Sequence, residues 1–281
     1  MLLKSKIADF YIPDGSTLPE ALERTSHLGI VAHQDDLELL AYDGILKCFG
    51  KKSFFGVDVT NGVGCQKSGI YASLTDKEMQ LHRKNEQIKA ALIGEYSGVI
   101  FLDYSSEALK NNRCNDPTED IESILLNMNP SVVYTHNPMD KHDTHVAVAL
   151  RVINALRNLP DHKKPQAAYG CEVWRDLDWV AENDKVIFDV SEYESLGISL
   201  LGVYESQILS GKRYDLAAIG RRRAHAAFGG LNHNNAQQMV IYGIDLTPLI
   251  WNKGITIENY LLGYIERFKC DVMSRINKLI V

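Results

Sequence analysis

The sequence predicts an α/β fold in which a mostly parallel sheet has helices on both faces. Short apolar runs alternate with stretches whose apolar residues recur every three or four positions, and this order is typical of strand–helix–strand units. At 281 residues the chain is long enough to bury a large core. We therefore expect one domain over residues 1–281, in which 231–281 add a completing strand and a C-terminal helix.

The first half of the chain predicts four strands with helices between them. Thr75 and Glu78 have the spacing of a capping box and indicate where the second helix begins, and Pro130 ends the third. The expected strands cover residues 28–32, 53–59, 98–102 and 131–136; the helices cover about 37–49, 75–93, a stripe through Ile121, Ile124, Leu125 and Met128, and a further stripe from Val146 to Ile153.

After about residue 165 the pattern is less regular. Strands are expected at 167–172, 185–190 and 239–244, and a long helix at about 257–279. The whole arrangement is that of an open, Rossmann-like sheet, in which ligands bind beyond the carboxyl ends of the strands.

Composition excludes several classes of protein. The net charge of −6 gives no basic footprint for nucleic acid, and the cluster Arg221–Arg223 is typical of a solvated helix face. The N-terminus lacks the apolar run of a signal peptide, and no segment is apolar for long enough to span a membrane. Five scattered cysteines without a Cys-x-x-Cys pair argue against a disulfide framework and a thiolate zinc site. We expect a soluble, cytoplasmic protein.

Two groups of histidines and aspartates follow two of the predicted strands. Because the carboxyl ends of parallel strands share one edge of the sheet, we expect both groups to meet there. His142 and His145 are three positions apart at a helix start, so their side chains can share a face. The first group is His33, Asp35 and Asp36, and the second is His136, Asp140, His142 and His145.

Imidazole nitrogens and carboxylate oxygens are ligands that suit zinc. A catalytic zinc site takes three protein ligands, leaves a position for water, and lowers the pKa of that water towards 7. A neighbouring free carboxylate can then act as a general base. The adjacent pair Asp35–Asp36 can divide this work, with one residue on the metal and the other at the water.

The same residues resemble the motifs of a known family. The run from Ala32 to Leu39, AHQDDLEL, resembles the His-Pro-Asp-Asp-x-Glu signature of the PIG-L/LmbE family of zinc-dependent sugar de-N-acetylases, and HNPMDKHDTH, from His136 to His145, resembles its second motif. Three shorter stretches also fit the family, over about 27–230 in all: Thr60-Asn61-Gly62, Arg83 with Glu86, and Ser206-Gln207.

The resemblance implies a site and a reaction. His33, Asp36 and His145 would be the metal ligands, with Zn²⁺ as the cofactor. A set of two histidines and one carboxylate can also hold Fe²⁺. The substrate would be a small-molecule amino-sugar conjugate, and the products acetate and a free amino sugar. The family also suggests a homo-oligomer.

The remaining roles are carried over residue by residue. Asp35 would be the general base. His142 would be the general acid, or the cation that stabilises the oxyanion and the leaving amine. Arg83 would bind a polar group of the sugar, although it can instead pair with Glu86 or Glu78 on a solvated helix face.

The sequence departs from the family pattern at three places. Gln34 replaces a proline, Ala41-Tyr42-Asp43-Gly44 replaces a glycine-rich helix start, and Thr144 replaces the aspartate that precedes the final histidine. In the family that aspartate orients the preceding imidazole. Asp140 or Asp143 can substitute here, and the sequence leaves the choice open.

Other candidates are weaker. His136, at the end of its strand, is expected to support the site or the fold rather than bind the metal. Trp174 and Trp179 either pack in the core or offer a platform for a sugar. His225, His233 and the loop at 229–235 form either a flap over the site or an ordinary surface loop.

Three functions therefore compete. The leading hypothesis is a zinc-dependent hydrolase that removes an acetyl group from an N-acetylglucosamine-type sugar. The alternatives are a metal hydrolase of another amide or ester bond, and a non-catalytic sugar-binding relative that keeps the metal.

Overall fold

The computed structural model describes residues 1–229 and 237–280. The strands of this part are β1 (Asp9–Tyr11), β2 (His27–Val31), β3 (Phe54–Thr60), β4 (Gly98–Tyr104), β5 (Val132–His136), β6 (Ala167–Cys171), β7 (Val186–Asp189) and β8 (Val240–Asp245). The α-helices are α1 (Leu18–Glu23), α2 (Asp36–Leu40), α3 (Tyr42–Cys48), α4 (Asp76–Ile93), α5 (Ser106–Lys110), α6 (Asp116–Leu126), α7 (Asp143–Asn158), α8 (Glu194–Gly202), α9 (Glu205–Gln207), α10 (Tyr214–Phe228), α11 (Thr247–Trp251) and α12 (Ile257–Leu279).

The strands form one sheet of eight in the order β1-β4-β3-β2-β5-β6-β8-β7. The five strands from β4 to β6 in this order are parallel, whereas β1, β7 and β8 are antiparallel to their neighbours. The expected α/β fold with a mostly parallel sheet is therefore confirmed. The chain passes from β2 outwards through β3 and β4, then returns to β5 on the other side of β2. This reversal opens a crevice between β2 and β5.

Both faces of the sheet are covered by helices. On one face, Leu28 and Ile30 of β2 are buried in the cluster that includes residues of α6 and α7. On the other face, Val31 is buried with α2 and α3. The close approach of α2 depends on Gly29, because a Cβ atom there would lie 2.5 Å from Leu37 Cδ2. Helix α2 can therefore begin directly above the crevice.

The predicted start of the second long helix is confirmed. Thr75 precedes α4, and its hydroxyl accepts a hydrogen bond of 3.3 Å from the Glu78 N–H. The Glu78 carboxylate in turn accepts one of 2.8 Å from the Thr75 N–H. This capping box fixes where α4 begins.

The predicted helix at 37–49 is two helices, α2 and α3, because the chain breaks at Ala41, which has φ −104° and ψ 16°. Beyond the break Tyr42 and Asp43 are buried with specific partners. The Tyr42 hydroxyl donates to the Tyr193 carbonyl at 3.1 Å, and Asp43 accepts from the Tyr134 hydroxyl at 2.6 Å. Tertiary hydrogen bonds thus override the local tendency to continue one helix.

The sequence did not predict the short N-terminal elements β1 and α1, or α5 and α8. β1 is a three-residue edge strand, too short to show a period. No described helix is long and apolar enough to cross a membrane.

Candidate metal centre

The two groups of polar residues lie at adjacent strand ends. β2 and β5 pair in parallel, with Ile30 beside Thr135. Two hydrogen bonds join the ends: the Ala32 N–H donates to His136 Nε2 at 2.9 Å, and the Thr135 hydroxyl donates to the Ile30 carbonyl at 2.9 Å. The loop after β2 and the start of α7 therefore face each other across the crevice.

Three side-chain atoms converge there. His33 Nδ1 lies 3.1 Å from Asp36 Oδ2 and 3.2 Å from His145 Nε2, and the latter two atoms are 3.4 Å apart. Ligands about 2.0–2.1 Å from a tetrahedral zinc ion lie about 3.3 Å from one another. The spacing of these three atoms fits a small divalent cation.

Asp140 orients one of these imidazoles. Its Oδ2 accepts a hydrogen bond of 2.9 Å from Nδ1 of His145. The proton of the neutral ring is thereby placed on Nδ1, and the lone pair of Nε2 faces Asp36 and His33. A carboxylate behind a ligating histidine is the usual outer-shell partner in metal sites. The sequence left open whether Asp140 or Asp143 takes the place of the family aspartate. In the structure Asp140 contacts an imidazole, and that imidazole belongs to His145 rather than to His142.

His142 lies beside the convergent atoms. It precedes α7, and its ring stacks on that of His145 with centroids 4.4 Å apart and meets the His33 ring at 82°. A ring nitrogen of His142 lies within 4.8 Å of nitrogens of His33 and His145. Its Nδ1 is buried without a hydrogen-bond partner. The expected shared face of His142 and His145 is present. Among the described residues, however, no carboxylate orients His142 as Asp140 orients His145.

His136 lies deeper in the crevice and is fully buried. Its Nε2 is 3.3 Å from Asp36 Oδ2, and its ring stacks on that of His145 with centroids 3.9 Å apart. Asp36, His136 and His145 thus form a second triple of close donor atoms. Nε2 of His136 also accepts a hydrogen bond from the Ala32 N–H, so the lone pair of this nitrogen is already used in a bond to the backbone.

Burial sets the charge of the imidazoles. It lowers the pKa of His33 to about 4 and also lowers the pKa values of His145 and His142. These rings are therefore neutral near pH 7, which is the form that binds metals. Burial acts to raise the pKa of Asp36, but the imidazoles of His145 and His136 outweigh it and hold that pKa well below its ordinary value.

Asp35 has a different environment from its neighbour. Its φ is 100°, in the left-handed region that favours glycine, and its N–H donates to the Gln87 side chain at 3.3 Å. One carboxylate oxygen lies 3.4 Å from Arg83 Nη2. Burial raises the pKa of Asp35 to about 8, against the opposing effect of Arg83. The two adjacent aspartates are thus held in distinct electrostatic surroundings.

Arg83 is a buried residue of α4, with 3 % of its surface exposed. Its guanidinium donates to the Gln34 carbonyl and faces Asp35. The alternative of a solvated helix face is therefore wrong for this side chain. Glu86, on the same helix, instead accepts hydrogen bonds of 2.7 Å from the Ser206 N–H and hydroxyl.

The candidate ligands line a cavity of about 260 Å³, the metal cavity. The sequence marked six of its residues as site candidates: His33, Asp35, Asp36, Arg83, His142 and His145. It missed Lys212, Tyr214 and Lys110, and it left Trp174 open. These residues lie in segments without a recognisable motif.

A second cavity of about 220 Å³ adjoins the first, and both are lined by Trp174, Lys212 and Tyr214. We call it the Trp174 cavity. Its wall includes His225, which donates from Nδ1 to the Val240 carbonyl at 3.0 Å and pairs with Asp176.

The sequence left open the roles of the two tryptophans and of the loop at 229–235. Trp174 lines both cavities, whereas Trp179 packs against Phe268 of α12 with ring centroids 6.0 Å apart. Of the predicted loop at 229–235, residues 230–235 and His233 among them lie outside the described residues.

A comparison with protein families matches the part of the chain that contains both motifs. Residues 28–156 match the family model described as PIG-L: GlcNAc-PI de-N-acetylase, so the match covers β2 to α7 and both motifs. It stops before Ser206-Gln207. No curated protein matches the chain.

Solved structures share the fold at low identity. The N,N′-diacetylchitobiose deacetylase from Pyrococcus horikoshii is 18% identical, with a TM-score of 0.62, over 84% of this chain and 88% of that one. A conserved protein from Thermus thermophilus is 15% identical, with a TM-score of 0.62, over 80% and 95%. The 4-carboxy-2-hydroxymuconate hydratase from Pseudomonas putida is 16% identical, with a TM-score of 0.55, over 79% and 95%. These likenesses show the fold alone, because a deacetylase and a hydratase both have it.

Proposed function

The chain belongs to the PIG-L family, and from this premise we propose that it is a metal-dependent N-deacetylase acting on an N-acetylglucosamine-type sugar. Water would cleave the amide bond and give acetate and the free amino sugar. The observation that carries the proposal is the convergence of His33 Nδ1, Asp36 Oδ2 and His145 Nε2 within 3.4 Å of one another in a cavity.

His33, Asp36 and His145 are the residues that would hold the metal. A divalent cation, for which we propose zinc, supplies a Lewis acid and makes a water nucleophilic at neutral pH. Neutral imidazoles and one ionised carboxylate are a donor set that suits zinc, and Fe²⁺ can use the same set.

We propose Asp35 as the general base. It lines the same cavity as the ligands and is buried beside Asp36. Its carboxylate takes a proton from the attacking water and passes that proton to the leaving nitrogen, so no net proton is gained or lost. Arg83, 3.4 Å away, favours the ionised form that this step needs.

His142 is proposed to act on the carbonyl oxygen and the leaving amine. Its ring lines the metal cavity beside His145 and has one nitrogen without a partner. A ring N–H aimed at the developing oxyanion stabilises the transition state more than the ground state. The contact of Arg83 with a polar group of the sugar stays a prediction; its observed contacts support the position of Asp35.

The test measures release of acetate and formate by the metal-stripped protein and by protein reloaded with zinc or with Fe²⁺. The substrates are N-acetylglucosamine glycosides, with N-formyl and O-acetyl analogues beside them. We expect acetate from the N-acetyl compounds only after reloading. Hydrolysis of the O-acetyl or N-formyl compounds alone would indicate a hydrolase of another bond, and no hydrolysis of any compound would indicate a non-catalytic relative.

The cytoplasmic location and the homo-oligomeric state stay predictions. The unpaired state of all five cysteines supports a reducing compartment.

A further inference from the structure

The C-terminal helix α12 leaves most of its surface in solvent. Of its 23 residues, Tyr264 is the one that is buried. The first half of the helix is held to the sheet, where the Tyr260 hydroxyl donates to the Asp245 carbonyl at 2.5 Å. Every residue from Met273 to Ile280 is exposed. The last two turns therefore gain little from packing against the described part of the chain, although a helix without such packing is marginal in water.

An apolar stripe runs along α12 with the spacing of a coiled coil. Alternate steps of four and three positions connect six residues, which are all apolar except Arg275: Leu261, Ile265, Phe268, Val272, Arg275 and Leu279. One edge of Phe268 contacts Trp179, but Ile265, Phe268 and Leu279 are still 44%, 39% and 78% exposed. Next to Arg275, Ile276 is also 39% exposed. The stripe is thus continuous and open to solvent.

The spacing selects a second helix, rather than a flat surface, as the partner. Apolar side chains that recur every 3.5 residues on average fit as knobs into the holes of a helix with the same spacing. Helix α12 leaves six large apolar side chains exposed, whereas none of the other described helices leaves more than three. The helix of this chain that matches the stripe is therefore α12 of a second copy. Two identical patches that contact each other close by two-fold symmetry.

The charges of α12 favour an antiparallel pair. Residues 257–268 contain two glutamates and one arginine, a net charge of −1. Residues 269–279 contain three basic residues and one aspartate, a net charge of +2. An antiparallel pair places each half of the helix beside the opposite half of its partner, so that these net charges attract.

The charged residues beside the stripe already pair within the helix. Glu266 pairs with Lys269 at 3.1 Å. Asp271 pairs with Arg275 at 2.6 Å, so the one cation of the stripe has its counter-ion in the same copy. A helix that binds an anionic membrane instead presents mainly lysine and arginine on its polar face. Mixed charges around an apolar stripe are typical of the polar rim of a protein interface.

We propose that α12 is a self-association surface, and that two copies of the chain pair antiparallel along the stripe from Leu261 to Leu279. The stripe covers 19 residues, or about 28 Å at the rise of an α-helix. One helix face is narrow beside the roughly 800 Å² per partner of a standard interface, so we expect a dimer that dissociates in the micromolar range. The proposal concerns assembly and does not depend on the proposed function.

Sedimentation equilibrium of the full chain, at about 1 to 200 µM, tests the dimer. We expect the wild type to pass from monomer to dimer in this range. Val272→Glu should weaken dimerisation at least about tenfold, because the pair would bury carboxylates without partners. Ile276→Glu should act in the same way, and its exposed position makes a folding defect improbable. Ser274→Glu is the matched control, because it adds the same charge at an exposed position about 200° around the helix from Val272, and it should dimerise normally.

Cysteine cross-linking tests the orientation. The background is Cys270→Ser, because Cys270 is the exposed cysteine of the five. Oxidation should join Leu261→Cys protein to Leu279→Cys protein when the two are mixed, since an antiparallel pair places each of these positions near the other. Neither protein should cross-link with itself.

A wild type that stays monomeric up to about 200 µM would overturn the proposal, even if it bound anionic vesicles or another protein. A dimer that both Val272→Glu and Ile276→Glu leave unchanged would place the contact elsewhere and would overturn it too. Self-cross-linking of Leu279→Cys would overturn the antiparallel orientation. None of these measurements uses acetate release, so a failure of the proposed function would leave this inference standing.

Discussion

Asp140 accepts a hydrogen bond of 2.9 Å from Nδ1 of His145, five positions further along the chain. Asp140 lies in the loop before α7 and His145 in the first turn of that helix. The pair therefore forms locally when α7 forms. It fixes the tautomer of a ring whose other nitrogen lies 3.4 Å from Asp36 Oδ2.

Asp140→Asn is expected to weaken metal binding by about 10- to 100-fold, because outer-shell partners of ligating histidines have effects of this size. The side chain keeps its shape but loses the charge that favours a proton on Nδ1. Competition with a chromophoric chelator measures the affinity. Asp143→Asn, an exposed position at the start of α7, is the control and should bind metal normally. An equal loss in both variants would show that the effect is not specific to the hydrogen bond.

Above about pH 8, the pKa that burial gives Asp35, Arg83→Met is expected to lower the free energy of unfolding by roughly 3 kcal/mol, because removal of one partner leaves a buried carboxylate without its counter-charge. Arg83 and Asp35 are both buried and lie 3.4 Å apart. Urea unfolding of the metal-free protein measures the change, and Lys89→Met on the same helix should shift it by no more than about 0.5 kcal/mol. Unchanged stability with a raised KM would instead favour the predicted contact between Arg83 and the sugar.

Glu172 gives a prediction about pH. Its side chain accepts from Asn137 at 3.0 Å, and burial raises its pKa from 4.5 to about 8. Between these values the folded protein holds a proton that the unfolded chain has lost. The stability contribution of the group is therefore complete below about pH 4.5 and is lost as the pH rises through about 8.

Glu172→Gln removes this titration. Its stability relative to the wild type should rise between pH 5 and pH 8, by about 1 kcal/mol or more in total, since one pKa unit corresponds to about 1.4 kcal/mol. Urea unfolding at the two pH values measures the difference. Glu192→Gln, at an exposed position, should show no such trend. A constant difference between Glu172→Gln and the wild type would contradict the raised pKa.

Much of the fold was predictable because strong local signals coincide with its central elements. The capping box at Thr75 and Glu78 gave the start of α4, and apolar runs gave the five parallel strands. The break at Ala41 was not predictable, because it depends on contacts of Tyr42 and Asp43 with residues far along the chain. Edge strands and helices of only a few residues are too short to show a hydrophobic periodicity in the sequence.

The part of the site that could be predicted from the sequence is the part formed by the two short motifs rich in histidine and aspartate. Motifs placed His33, Asp36 and His145 together, because the strand ends of β2 and β5 are adjacent. The sequence left open whether Asp140 or Asp143 would orient His142, and in the structure Asp140 pairs with His145 instead. Trp174 and Lys212 could not be assigned, because their position depends on segments after residue 165 that fold back over the crevice.

The central claim is that Asp36 holds the metal and Asp35 moves the proton. Its most direct test compares Asp35→Asn with Asp36→Asn, with metal content and acetate release measured on the same samples. We predict that Asp35→Asn keeps about one metal ion per chain and loses about 10²- to 10⁴-fold in rate, the usual contribution of a general base. Asp36→Asn should lose the metal. An Asp35→Asn protein without metal, beside an Asp36→Asn protein that retains it, would contradict the account.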